Sequence, residues 1–585
     1  MTPRRTRPRD GGRGDRPTIR RFARGAPPSL AGVPRDRYER ALRFLSPTLS
    51  VETVAAASVV AALAAALGVV VVGLAVAPGL GTALVPAAVA MGFLVAVAAC
   101  RLPPWAARVR RTAALGAAPD LVSRAVLRMR LTPTPETAAA FAARTGRGPL
   151  ADSLRRHVER AAGTPASGLG SFGERWREAY PALRRAALLV EAAGAAPAGE
   201  RERTLDRAAR AVLDGTRERM TEATADLSGP VSVIYAFGVF LPLALVAVLP
   251  AGRAAGVRVT LPLVVALYDA LLPALLLAAA VGVLARRPVT FPAPTISRTH
   301  PDVPDRRRGA TVALGAGIAA GGAAGAFVVL TLPGWTLPLA VAGVGVGAAL
   351  LAWYRPVVAV RRRVRAIEDG LADALYLVGR RVEEGRSVER SVELAADEVT
   401  GEMGAVLEAA AARQRRLRVG VGEAFLGEHG ALAAVPSPRV RSTADLLAIA
   451  AREGRPAGAA VVAMADHVEE LLSVERRSRR DLKRVTTTLS NTAAAFGPLV
   501  AGVTVALADA IGGRSLAGDS VPLPTGGLGL AVGAYVLLLA ALLTALAAGL
   551  DRGFDRAVVG YRVGAALPAA TAVYLVAFAG ARLLA

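Results

Sequence analysis

The 585-residue chain has a single lysine, Lys483, a single cysteine, Cys100, and four histidines, and each shortage removes a class of chemistry. A phosphate-binding loop of the form GxxxxGK[ST] needs lysine directly after glycine, because that ammonium reaches the outer phosphates of a nucleotide. Lys483 stands instead in Asp481-Leu-Lys483-Arg, so the sequence carries no such loop. Cys100 has no second cysteine with which to form an internal disulfide, and its place at the end of an apolar run marks it as a packing residue. His157, His300, His429 and His467 lie singly, without the i, i+4 pairing or neighbouring ligands of a zinc site, and read as surface or core residues. No Ser, His and Asp grouping can be placed together. The expectation is a non-enzyme with no metal and no cofactor.

What the chain has in quantity is apolar length. A hydrophobic content of 53% and a mean hydropathy of +0.42 exceed what a soluble domain needs. Nine runs of about 20 residues suit roughly 30 Å of hydrocarbon. They fall at 53–77, 81–100, 229–250, 259–285, 309–332, 335–353, 492–512, 525–548 and 561–584, the last two diluted by Gly and Ala. The expected fold class is therefore an all-α polytopic membrane protein with about nine spans.

Charge orients these spans. The formal net charge of +25 is carried almost wholly by arginine. Arginine crowds the N-terminal tail, both long connections, the Arg286–Arg308 loop and the short Asp551–Arg562 loop, while the opposite-side loops are short and poor in it. The positive-inside rule then places the N-terminus and both long segments in the cytoplasm, and nine spans leave the C-terminus outside. Because the charge sits where topology demands it, no nucleic-acid partner is expected.

In order, residues 1–50 read as a disordered basic tail leading into an interfacial helix, on which Tyr38, Ala41, Leu42 and Leu45 share a face and which Pro47 ends. Spans 1 and 2 occupy 51–100, and a first cytoplasmic helical bundle occupies 101–228. Spans 3 and 4 lie in 229–285, a loop in 286–308, and spans 5 and 6 in 309–354. A second bundle fills 355–491, and spans 7 to 9 lie in 492–548 and 561–584. Arg101-Leu-Pro-Pro-Trp105 marks the first exit from the bilayer.

The two bundles share a pattern. Asp120-Leu-Val-Ser-Arg-Ala-Val-Leu-Arg-Met lies 253 positions before Asp373-Ala-Leu-Tyr-Leu-Val-Gly-Arg-Arg-Val, and at the same offset Thr134-Pro-Glu136 faces Ser387-Val-Glu389. Arg101 and Arg355 are 254 apart, and Gly194 and Gly454 are 260 apart, so one unit with small insertions accounts for both halves. Thr134 and Ser387 read as N-caps, with Pro135 at a first helical position. Further helices are expected at 150–162, 173–193, 200–225, 402–417, 440–453 and 457–489. Gly168-Leu-Gly170-Ser-Phe-Gly173 matches GxGxxG by letter but follows no strand, and reads as a linker between helices. Within the spans Asp269 is a costly intramembrane carboxylate, between Tyr268 and Pro273. A structural hydrogen bond at a helix kink is favoured there over proton coupling.

The duplicated unit resembles the type II secretion system F family. The residues that carry the likeness are the Asp120 and Asp373 starts, the helix beginning Ser387-Val-Glu389-Arg-Ser-Val-Glu393-Leu-Ala, and Ala450-Ala-Arg-Glu453-Gly454. It resembles more narrowly the double-unit archaeal members that serve as membrane platforms for type IV pili and the archaellum. The first copy departs from the pattern, with Glu191-Ala-Ala-Gly194 opposite Arg452-Glu453-Gly454. The resemblance implies a multi-pass platform in the cell membrane, surrounded by lipid. Its bundles would engage a hexameric secretion ATPase and its membrane part would receive pilin-like subunits; a homo-oligomer is left open. On that footing the candidate ATPase contacts are Arg380, Arg381, Glu383, Glu384, Glu389, Glu453 and Gly454. Their first-bundle counterparts are Arg124, Arg128, Glu136, Glu191 and Gly194. Two other readings stay open: a secondary transporter built from internal repeats, and a membrane scaffold unrelated to pili.

Overall fold

The computed structural model describes residues 32, 34–45, 50–76, 84–146, 148–242, 244–246, 248, 260–286, 296, 300–453, 457–513, 525–553 and 555–584. Most of the basic tail, Pro47 and much of the 286–308 loop lie outside them. Among the described residues the regular structure is entirely helical. The chain forms two compact units, Met1–Arg111 and Thr112–Ala585.

In the first unit, α1 (Arg35–Leu45) presents Tyr38 and Leu42, one turn apart, to a small core that also holds Cys100. The Tyr38 hydroxyl donates to the Cys100 carbonyl at 3.0 Å. Cys100 is buried packing, as its position implied. After α2 (Val51–Val76), α3 (Leu84–Gly116) continues as a helix through Pro103 and Pro104. The Arg101-Leu-Pro-Pro-Trp105 stretch is thus helical.

The first bundle consists of α4 (Ala118–Leu131), α5 (Pro135–Thr145), α6 (Pro149–Ala161), α7 (Leu169–Arg175), α8 (Pro181–Ala195) and the long α9 (Ala198–Tyr235). Four of these begin with proline in the first turn. There the missing N–H costs nothing, and the fixed φ is already helical. The single helix expected at 173–193 is broken for the same reason. Pro181 opens α8 and pushes Tyr180 to an extended φ of −155°, which ends what precedes it.

The second bundle consists of α14 (Leu371–Glu383), α15 (Val388–Glu398), α16 (Gly401–Leu417), α17 (Val421–Leu426), α18 (Pro438–Glu453) and α19 (Ala457–Asn491). Ser387 caps α15 by accepting from the Arg390 N–H at 3.2 Å. Thr134 holds the corresponding place on α5, but its hydroxyl pairs with that of Thr137. Each bundle has its own apolar core, and the two interlock: Leu127 and Phe141 belong to the core of the second, Leu471 to that of the first. A fully buried leucine contributes about 2 kcal/mol through burial, so a shared core resists separation of the bundles.

Eight helical stretches among the described residues are long and apolar enough to cross a membrane. They are Val51–Gly68, Ala198–Val246, Leu261–Leu284, Arg306–Thr331, Gly334–Glu383, Gly458–Ala510, Gly526–Asp551 and Arg556–Leu584. The ninth expected span, at 81–100, falls on α3 and lies partly outside the described residues. The chain is thus an all-helical, multi-pass membrane protein. The Leu261–Leu284 span comprises α10 (Leu261–Val265), a widened turn and α11 (Leu272–Arg286). The later spans are formed by α12 (Arg306–Thr331), α13 (Leu337–Asp369), α20 (Gly497–Gly513), α21 (Thr525–Arg552) and α22 (Arg556–Leu584). Helix α21, expected from its Gly and Ala to be a diluted span, has the highest mean hydropathy of the eight stretches, 2.4, and is the hub: 61% of its apolar window is buried, against 22% for α12.

Three spans contain a π-helical turn: Ala236–Phe240, Ala266–Leu271 and Thr492–Phe496. Each is followed two residues later by a proline, Pro242, Pro273 or Pro498. Proline has no N–H for the carbonyl four residues back, and widening the turn absorbs the lost bond. Where the freed carbonyl is buried, another group supplies the donor. The Tyr535 hydroxyl on α21 reaches the Gly238 carbonyl, four residues before Pro242, at 2.6 Å. The Tyr268 hydroxyl donates to the Pro242 carbonyl at 2.6 Å, and the two tyrosine rings meet edge to face at 5.6 Å.

Candidate functional site

The seam between the bundles is polar at its centre. Ser123 on α4 is hydrogen-bonded to the ring Nε2 of His467 on α19, and both side chains are buried. Arg124, beside Ser123, donates to the Thr145 carbonyl and, at 2.6 Å, to Asp120. Arg217 of α9 reaches Glu470 of α19 at 3.3 Å. On the second-bundle side Arg439 and Arg479 converge on Glu475, the first at 3.5 Å, and Ser437 donates to Glu368 at 2.5 Å. At the membrane edge Arg361 of α13 pairs with Asp555, and Arg562 pairs with Asp551 at 2.6 Å. These groups pin the short Asp551–Arg562 loop to the helix that leads into the second bundle. Buried charge pairs are poor sources of net stability but costly to break singly, which favours one fixed arrangement of the parts.

The candidate contact residues divide into surface and structural groups. Arg380, Glu383 and Glu384 are exposed at the end of α14, and Glu389 is half-buried in the first turn of α15. Arg381 is tied to Glu398. The Glu453 side chain and Gly454 lie outside the described residues. A neighbouring network joins Arg390 and Arg415 to Glu393 at 2.6 and 3.2 Å. Those guanidiniums, Arg390 first, hold the Glu393 carboxyl below the usual carboxylate range.

In the first bundle Glu136 alone of the five counterparts is exposed. Arg124 is only 3% exposed, so it cannot serve as a surface contact: the seam encloses it. Arg128 is half-buried and engaged within the protein. Glu191 accepts from the Ser167 hydroxyl at 2.5 Å and the Gly170 N–H at 3.0 Å. Gly194 packs so closely on α5 that a Cβ there would lie 2.4 Å from Pro135 Cγ.

The Glu191 contacts also correct the reading of the GxGxxG letters. Residues from Leu169 onward form α7 rather than a linker, entered through Gly168 at φ +82°. The Glu191 carboxylate occupies the helix N-terminus that an anion would otherwise favour. Of the histidines, His157 and His467 are buried. His157 bonds the Ser153 carbonyl through Nδ1 at 2.7 Å, and burial lowers the pKa of its imidazole below the usual value. Among the described residues no group of three His, Cys, Asp or Glu side chains gathers as a metal site.

Asp269 sits in the π turn of the Leu261–Leu284 span, and its Oδ1 is buried without a hydrogen-bond partner among the described residues. The structural hydrogen bond favoured from sequence is not found for that atom. Sequence reasoning also missed Ser123, Arg439, Glu475 and Tyr535. The proline that follows each π turn was a visible signal for the last; the others carry no local signature. No family model, curated protein or solved structure matches the chain.

Proposed function

We propose that this protein is the membrane platform of a type IV pilus-like or archaellum-like assembly system, related to type II secretion. It couples a cytoplasmic hexameric secretion ATPase to the insertion of pilin-like subunits. The observation that carries the reading is continuity. Helices α9, α13 and α19 each run unbroken between a bundle and a span, and the two bundles share their cores and a polar seam. A helix advances 1.5 Å per residue and bends little, so α19 with its 35 residues is a strut about 50 Å long between bundle and membrane. Bundles of this size without a phosphate-binding loop take their motion from a separate motor.

Support for a duplicated unit comes from matching starts. Ala118 and Leu371 begin helices 253 positions apart, as do Pro135 and Val388. Ala236-Phe237-Gly238 and Ala495-Phe496-Gly497 both overlap π turns at the entry to a span. The N-terminus and both bundles face the cytoplasm on the arginine asymmetry. The motor meets the exposed end of α14, around Arg380, Glu383 and Glu384, through charge that weakens with ionic strength. The rival reading is a secondary transporter, which internal repeats and Asp269 would suit.

The test is affinity isolation of the full-length protein from its native membrane, with filament assembly scored in parallel. A secretion ATPase should co-purify and be lost when Arg380 is changed to Glu together with Glu383→Arg and Glu384→Arg. Reversal of Glu136 in the first bundle should leave it bound. Filaments that persist after deletion of the protein, with no secretion ATPase recovered, would sink the proposal.

A further inference from the structure

Asp269 is a carboxyl inside a span, and it forms no ion pair among the described residues. The third span, residues 229–250, has no ionisable residue besides Tyr235. Helix α21, packed against the turn that carries Asp269, has its charged residues, Asp551 and Arg552, at its far end. The phenols nearby are engaged or apolar in their contacts: Tyr268 donates to Pro242 and Tyr535 to Gly238. Oδ1 of Asp269 has no donor among the described residues, and the residue is half-buried, at the border between the Tyr268 face and the lipid-facing Leu271 and Leu275. A carboxylate in that position has no ion-pair partner among the described residues, and its buried Oδ1 has no donor. A bound proton removes the charge that this apolar setting disfavours.

We propose that Asp269 is a proton-binding site within the bilayer, held as the neutral acid and reachable from the lipid phase. The inference stands apart from the platform reading, since it concerns only the turn and its neighbours. It places an ionisable switch at the widened turn next to the Tyr268–Tyr535 contact. Loss of the proton would draw the carboxylate toward water and disturb the packing of the third and fourth spans on α21.

The test exploits the reactivity of a protonated carboxyl toward dicyclohexylcarbodiimide, which partitions into lipid. The acid O–H adds across a C=N bond: the carboxyl oxygen bonds the central carbon, the proton goes to nitrogen, and the adduct rearranges to a stable N-acylurea. Native membranes containing the full chain are treated with this reagent or with a water-soluble carbodiimide, and the adduct is located by peptide mass spectrometry. Modification of Asp269 by the lipid-soluble reagent alone is expected, declining about tenfold per pH unit once the acid ionises. Asp269→Asn should abolish it and Asp269→Glu should keep it. Equal labelling by the water-soluble reagent, labelling that ignores pH, or no adduct at Asp269 at any pH would overturn the proposal. The wild-type pH series decides the matter even if Asp269→Asn fails to reach the membrane.

Discussion

Arginine does two different jobs in the bundles, and the residue's neighbours decide which. Arg124 is enclosed by the seam, with Nη atoms bonded to Thr145 and Asp120, while Arg380, with a similar neighbourhood in sequence, projects into water. Truncating the first removes a charged donor from a partly buried carbonyl, so Arg124→Ala should cost about 2 kcal/mol. Truncating the second should stay within about 0.5 kcal/mol. Thermal unfolding of the detergent-solubilised protein, followed by protease resistance of the bundles, measures both. Equal losses would mean that the enclosure of Arg124 contributes nothing.

At the scale of the element, proline explains why three spans are not plain α-helices. Pro242 leaves the Gly238 carbonyl without its helical donor, and Tyr535 fills the gap from another span. The two positions should therefore be coupled. Tyr535→Phe alone is expected to cost about 1 kcal/mol, because it strands a buried acceptor. In a Pro242→Ala background the new N–H can serve Gly238, and most of that cost should disappear. Unfolding measurements on the two single variants and the double variant give the coupling directly. A Tyr535→Phe penalty that is the same in both backgrounds would show that the proline does not create the acceptor.

Across the whole molecule the open quantity is the parity of the spans. Eight stretches qualify among the described residues, and the apolar part of α3 would make nine. On the proposed cytoplasmic N-terminus, nine spans put Ala585 outside and eight put it inside. A reporter active only in the cytoplasm, fused at Ala585, should therefore be silent. Strong activity would remove α3 from the set of spans and place the last helix end beside the bundles.

The sequence by itself determined what depends on local pattern. Apolar runs of membrane length, arginine asymmetry, first-turn prolines and helical periodicity gave the all-helical class, most of the spans and nearly every bundle helix, because each is a property of neighbours along the chain. It also displayed Asp269 and the three prolines. Only the tertiary structure decided what depends on distant partners: that Arg124 is enclosed while Glu136 is exposed, that Glu191 fills the end of α7, and that Ser123 meets His467 across 344 positions. Helix α21 shows the reason most plainly. Its mean hydropathy of 2.4, the highest of the eight stretches, marks it as a span from sequence alone, while its 61% burial depends on the helices that its small residues let approach closely.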